Sequence, residues 1–198
     1  MAKFTKIPAD TFKQLQINAG VVLSEFTPAT GTFEPENQIG ATTGGVTFSA
    51  TPTYSDYGSD VDNCPKNTME MKRMDDVEVK LSGTYVTATT ASAKSLMAAA
   101  DIDGTDTTKV VPRRDLSAAD FSDIWLVGDY SDKNGATNGG FIAIRLMNAL
   151  STGGFQLKTA DKNKGQMAFE YTAHYSMSKQ DVVPYEVYIK AGTAEVGT

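Results

Sequence analysis

The stretch Met167-Ala168-Phe169-Glu170-Tyr171-Thr172-Ala173-His174-Tyr175-Ser176-Met177 decides the fold. Its apolar side chains, Met167, Phe169, Tyr171, Ala173, Tyr175 and Met177, recur at every second position, with Glu170, Thr172, His174 and Ser176 between them. A period of two sends successive side chains to opposite faces of an extended chain, so the stretch reads as a strand with one dry and one wet face.

The same period returns in both directions along the chain. Leu15, Ile17, Ala19, Val21 and Leu23 form one such set, Val46, Phe48, Ala50 and Tyr54 a second, and Val77, Val79, Leu81 and Tyr85 a third. Residues 124–127, which include Trp125, and residues 141–147 differ, being apolar on both faces and interrupted only by Arg145. Strands of that kind need cover on both sides, from a second layer, a helix or a neighbouring subunit. Tyr185, Val187 and Ile189 complete the set at the C-terminal end.

One helix is expected, from an N-cap at about Thr90 through the alanine-rich run to Ala100, where β-branched residues are absent. Ser117 and Asp120 have the spacing of a capping box and mark a short helical turn. Gly and Asn clusters at 134–140 and at Gly153-Gly154 read as hairpin turns. Residues 55–76 are a long polar segment containing Asp56, Gly58, Asp60, Asp62, Asn63 and Pro65. Loops of that length in a compact domain are usually functional or disordered, and this one is the best candidate for an interaction arm.

A chain of 198 residues with 40% hydrophobic side chains buries roughly 70% of its unfolded surface as a single domain. A formal charge of −6 disfavours nucleic-acid binding through phosphates. Cys64 is the only cysteine, which excludes a disulfide framework and multi-cysteine zinc motifs. The N-terminal residues lack a signal-peptide core, and no apolar run approaches the roughly 20 residues of a membrane span, so synthesis in a cytoplasm without membrane insertion is expected.

Catalytic chemistry finds little footing. His174 is the only histidine, and its alternation with Glu170 and Thr172 reads as a structural place on a polar face. Asp56, Asp60 and Asp62 with Asn63 fail the calcium-loop spacing because Cys64 stands where a further oxygen ligand belongs, and Asp101-Ile102-Asp103-Gly104 fails similarly. No glycine pattern suits a nucleotide, and Cys64 has no basic neighbour to activate its thiol. No enzyme, metal site or cofactor is expected.

Several separated blocks resemble one family. Ala41-Thr42-Thr43-Gly44-Gly45-Val46-Thr47-Phe48, Asp62-Asn63-Cys64-Pro65-Lys66-Asn67 and Leu81-Ser82-Gly83-Thr84 are similar to the first half of major tail tube proteins of long-tailed bacteriophages and prophages. Asp123-Ile124-Trp125-Leu126-Val127-Gly128-Asp129-Tyr130, Asn148-Ala149-Leu150-Ser151-Thr152-Gly153-Gly154-Phe155, Gly165-Gln166-Met167 and His174-Tyr175-Ser176 continue the likeness, which runs from about residue 12 to 190.

The resemblance implies a mostly β fold, a single tail-tube-like domain over 1–198: a β-sandwich or barrel with one flanking α-helix, whose inner sheets join into a ring barrel in the oligomer. It implies a structural virion protein that stacks as homo-hexameric rings to form the tail tube through which DNA enters the host. Tape measure protein would lie inside, with tail terminator and distal tail or baseplate proteins at the ends, and DNA would pass without specific binding. Residues 1–10 would be a flexible arm, and loop 55–76 would reach a neighbouring subunit or ring. Its contact candidates are Asp56, Asp60, Asp62, Asn63, Lys66, Asn67, Lys72 and Arg73. The competing expectation is a non-enzymatic carbohydrate- or receptor-binding module of a phage particle, which would use exposed aromatics such as Tyr54 and Tyr57.

Overall fold

A computed structural model describes residues 7–131 and 139–193. The expected turn at 134–140 and the arm at 1–10 therefore lie mostly outside the described residues. The fold is mostly β with one short α-helix, as the alternation predicts. In chain order the strands are β1 (Gln16–Leu23), β2 (Gln38–Gly40), β3 (Thr42–Asp56) and β4 (Lys72–Tyr85), then α1 (Thr90–Leu96). The short strands β5 (Ala100–Ile102) and β6 (Val110–Pro112) follow, then β7 (Ser122–Tyr130), β8 (Gly140–Ser151), β9 (Met167–Thr172) and β10 (Tyr185–Lys190).

Every ladder is antiparallel, in the order β2-β1-β7-β8-β9-β4-β3, with β10 also on β8. β8 belongs to two sheets at once. Its first half pairs with β10 from Phe141↔Lys190 to Leu146↔Tyr185, and its last residues, Leu150 and Ser151, pair with β9. Between the two partners Asn148 takes a left-handed φ of 49°, which turns the strand from one sheet into the other.

The two sheets face each other across one core. Val22, Ile124 and Leu146 from the β1-β7-β8 side meet Val79, Leu81, Phe169 and Tyr171 from the β4-β9 side. At one flank the Phe48 and Tyr185 rings close the gap, 5.6 Å between centroids. Tyr85 and Phe169 stack at 4.2 Å within the core.

The strands that read as apolar on both faces are covered on both. Trp125, Val127, Phe141 and Ala143 point away from the main core into a second cluster with Leu23 and Phe26. Phe26, from the segment joining β1 to β2, meets Trp125 edge-on at 5.7 Å and Phe141 at 5.2 Å, so the chain supplies this cover itself. Arg145, the interruption in the apolar run, lies over the Trp125 ring at 5.6 Å and donates to Asp123 and Glu186. Its guanidinium thus caps the second cluster while reaching carboxylates at the surface.

Three boundaries depart from the sequence reading. The strand expected over 167–177 ends at Thr172, and Tyr175 and Met177, placed on the dry face by alternation, are 40% and 86% exposed. The helix is shorter than expected. Its N-cap is Thr89, whose Oγ1 accepts from the Ser92 N–H at 3.0 Å while Ser92 Oγ accepts from the Thr89 N–H at 2.9 Å. It stops before the alanine run does, because Ala98 turns at φ 61° and Ala100 is taken by the β5 ladder with Pro112. A tertiary pairing overrides alanine's helical preference here. The Ser117–Asp120 capping box is present, on a single 3-10 turn.

Candidate functional site

The third departure from the sequence reading is the segment expected as a loop over 55–76. Residues 55–56 and 72–76 belong to strands, so the segment is the far end of a long β-hairpin. β3 and β4 pair from Thr42↔Tyr85 out to Asp56↔Lys72, whereas β9 supports β4 only from Lys80 to Tyr85. Beyond about Thr53↔Asp76 the hairpin is a two-stranded ribbon leaving the sandwich.

Such ribbons are marginal alone, and the tip shows what holds this one. Asp56 accepts from the Gly58 N–H at 3.0 Å through one carboxylate oxygen and from the Asn67 N–H at 2.9 Å through the other. Those two donors, Asn67 first, hold its carboxyl below the usual aspartate range. Thr68 Oγ1 donates to the Pro65 carbonyl at 2.6 Å, and Asn63 and Asn67 take left-handed turns at φ 60° and 62°. Gly58 is buried against Met71 and Cys64, where a Cβ would stand 3.0 Å from the Cys64 sulfur.

The eight contact candidates therefore divide. Asp56 and Asn67 are occupied in building the tip, and Asn63 supplies one of its turns. Lys72 lies 5.2 Å over the Tyr54 ring and reaches Asn67 Oδ1 at 3.4 Å. Asp60, Asp62, Lys66 and Arg73 are exposed, with no side-chain hydrogen bond among the described residues.

What the sequence reading missed is apolar. On β3, alternation places Tyr54 on the face that carries Phe48 and Ala50 into the core, and Tyr54 pairs with Met74. That inner face continues onto the ribbon after the opposing sheet has ended, leaving Tyr54 55% and Met74 50% exposed. Tyr57, Met69 and Met71 are exposed at the tip as well, Tyr57 and Met71 pairing one step beyond Asp56↔Lys72 and so taking the opposite face of the ribbon. The phase of Tyr54 was legible, but not the loss of its cover.

The other sheet shows the same condition. Tyr185, Val187 and Ile189 of β10 lie opposite Leu146, Ile144 and Ile142, on the inner face of their sheet. Tyr185 reaches the core, whereas Val187 and Ile189 are 47% and 61% exposed. Among the described residues β3 and β10 each have a strand on one side only, so both present an open edge as well as uncovered inner-face side chains. Unprotected edges of this kind are templates for pairing with another chain.

His174 is held structurally. Its Nδ1 lies 3.1 Å from the Asn148 carbonyl oxygen, and its ring meets Phe121 edge-on at 5.2 Å. Among the described residues no three His, Cys, Asp or Glu side chains gather where they could hold a metal ion. A groove of about 510 Å³ on the outer face of the β1-β7-β8 sheet is lined by Asn18, Phe26, Phe33, Asp129 and Phe141. Tyr54 and Tyr57 do not line that groove and stand on the ribbon instead. No family model matches the chain, and no curated protein matches it significantly.

Proposed function

We propose that this chain is a non-enzymatic structural subunit that polymerises through its sheets, as stacked hexameric rings forming a bacteriophage tail tube. The observation that supports the reading is the uncovered inner face along β10 and the β3–β4 ribbon, where Val187, Ile189, Tyr54 and Met74 carry core-type side chains past the end of their own cover. Burying a side chain of that size is worth roughly 1.5–3 kcal/mol, and a second copy supplies both the cover and the missing strand. The ring number and the tail come from the resemblance of the sequence blocks. Tape measure, terminator and baseplate partners, and a place in the virion, belong to the same reading.

The charge fits a conduit. At −6 overall the wall of such a tube repels phosphates, so DNA passes without being held. Negative-stain microscopy of the purified protein at increasing concentration tests the proposal. Rings or tubes are the expected images, and a monomer at every concentration would overturn it.

A further inference from the structure

The uncovered ribbon is strongly acidic as well as apolar. Residues 54–76 hold six carboxylates against three cations, a net of −3 within a chain of −6. An occupant of its exposed Tyr54 and Met74 therefore has to offer apolar contact within a basic surround.

One surface of this same chain has that composition. The loop 152–166 joining β8 to β9 holds Lys158, Lys162 and Lys164 against Asp161 alone, a net of +2. Phe155 and Leu157 stand beside these lysines, 40% and 56% exposed. The loop is a shaped projection, since Lys158 and Gln166 exchange backbone hydrogen bonds of 2.8 and 2.9 Å. None of the three lysines forms an ion pair among the described residues.

Topology places the two surfaces at opposite ends of one sheet. Met167, where the loop enters β9, pairs with Tyr85 at the end of β4, and the ribbon tip begins at Lys72 at its start. At roughly 3.3 Å per residue, β4 separates them by about 40 Å, so the contact cannot be made within one chain.

We infer that the β3–β4 ribbon of one copy docks on the 152–166 loop of the next, Tyr and Met side chains against Phe155 and Leu157, and Asp60, Asp62 and Glu70 against the three lysines. The contact is head-to-tail, and because its two surfaces lie at opposite ends of one sheet it repeats along the direction of that sheet. It rests on the assembly reading above and specifies which surfaces make the joint.

Zero-length carbodiimide coupling of the assembled wild-type protein, followed by peptide mapping, tests it. The expected products join Lys158, Lys162 or Lys164 to Asp60, Asp62 or Glu70, bonds that the 40 Å separation makes intermolecular by necessity. Lys158→Glu, Lys162→Glu and Lys164→Glu combined, all on an exposed loop, should keep the parent thermal transition. They should lower sedimentable polymer at least about tenfold by setting like charges against each other. Adding Asp60→Lys, Asp62→Lys and Glu70→Lys to the same chain should restore polymer. Polymers that lack these cross-links, or that ignore the lysine reversals, overturn the pairing while the assembly reading stands. A protein that never assembles overturns both.

Discussion

Asn148 and His174 hold each other across the point where β8 changes sheets: Asn148 Nδ2 donates to the His174 carbonyl at 3.1 Å, and His174 Nδ1 sits 3.1 Å from the Asn148 carbonyl. The Asn148 N–H is also taken, by Asp123 Oδ1 at 3.1 Å. The only histidine thus fastens the hinge of the sandwich. His174→Gln keeps a polar group there and should fold and assemble within a small factor of the parent. Asn148→Val, which meets the left-handed φ with a β-branched residue and removes the amide, should cost about 1–3 kcal/mol in urea denaturation. A hydrolytic activity lost on His174→Gln would contradict this account.

Phe26 is the lid of the second cluster, edge-on to both Trp125 and Phe141. Phe26→Ala should destabilise the subunit by about 3 kcal/mol, read from the midpoint of a denaturant curve. A change below about 1 kcal/mol would mean that something other than this ring shields the outer face.

Tyr85 is fully buried, its hydroxyl lies near that of Tyr171 without a well-formed hydrogen bond, and burial first, then Tyr171, pushes its phenol far above the usual tyrosine range. Tyr85→Phe keeps the stack on Phe169 and removes the unsatisfied oxygen. Thermal unfolding should show stability equal to the parent or raised by up to about 1 kcal/mol. A marked loss would show that the hydroxyl is bonded, to that of Tyr171.

Replacing residues 55–73 by a short Gly-Ser turn closes the hairpin at the Tyr54↔Met74 pair and leaves the core untouched. Loop entropy changes by only about 0.6 kcal/mol per doubling of length, so the subunit should unfold near the parent temperature. Tube yield should vanish. Val187→Lys with Ile189→Lys should act the same way by charging the open β10 edge, and normal tubes from either variant would remove that surface from the joint.

Acid should loosen the ribbon tip before the core. The Asp56 carboxyl titrates below the usual aspartate range in the fold, because the Asn67 and Gly58 amides bind its charged form. A depressed folded value means the stabilisation is complete above the unfolded value and is lost as pH falls through the folded one. Amide resonances of Gly58 and Asn67 should therefore hold steady at neutral pH and move only below about pH 4. A transition between pH 5 and 7 would assign the tip to another group.

The sequence by itself determined the strands whose period of two is written in side chains: the run at Met167, the set around Val77 to Tyr85, and the two-faced character of Trp125 and its neighbours. It also determined the Ser117–Asp120 cap, since capping depends on groups a few residues apart. Local signals failed where a distant partner decides. Alternation put Tyr54 and Met177 in phase with the core, but phase says which face a side chain takes and nothing about whether an opposing layer extends that far. The long polar segment likewise concealed a continued hairpin, because the ladder from Asp56↔Lys72 inward is paid for by neither residue's own preference and exists only as a cross-strand pairing. Only the tertiary structure showed that β8 serves two sheets, that β3 and β10 end as open edges, and that an acidic ribbon and a basic loop lie at opposite ends of one sheet. Each is a relation between segments far apart in the chain, and no local window contains it.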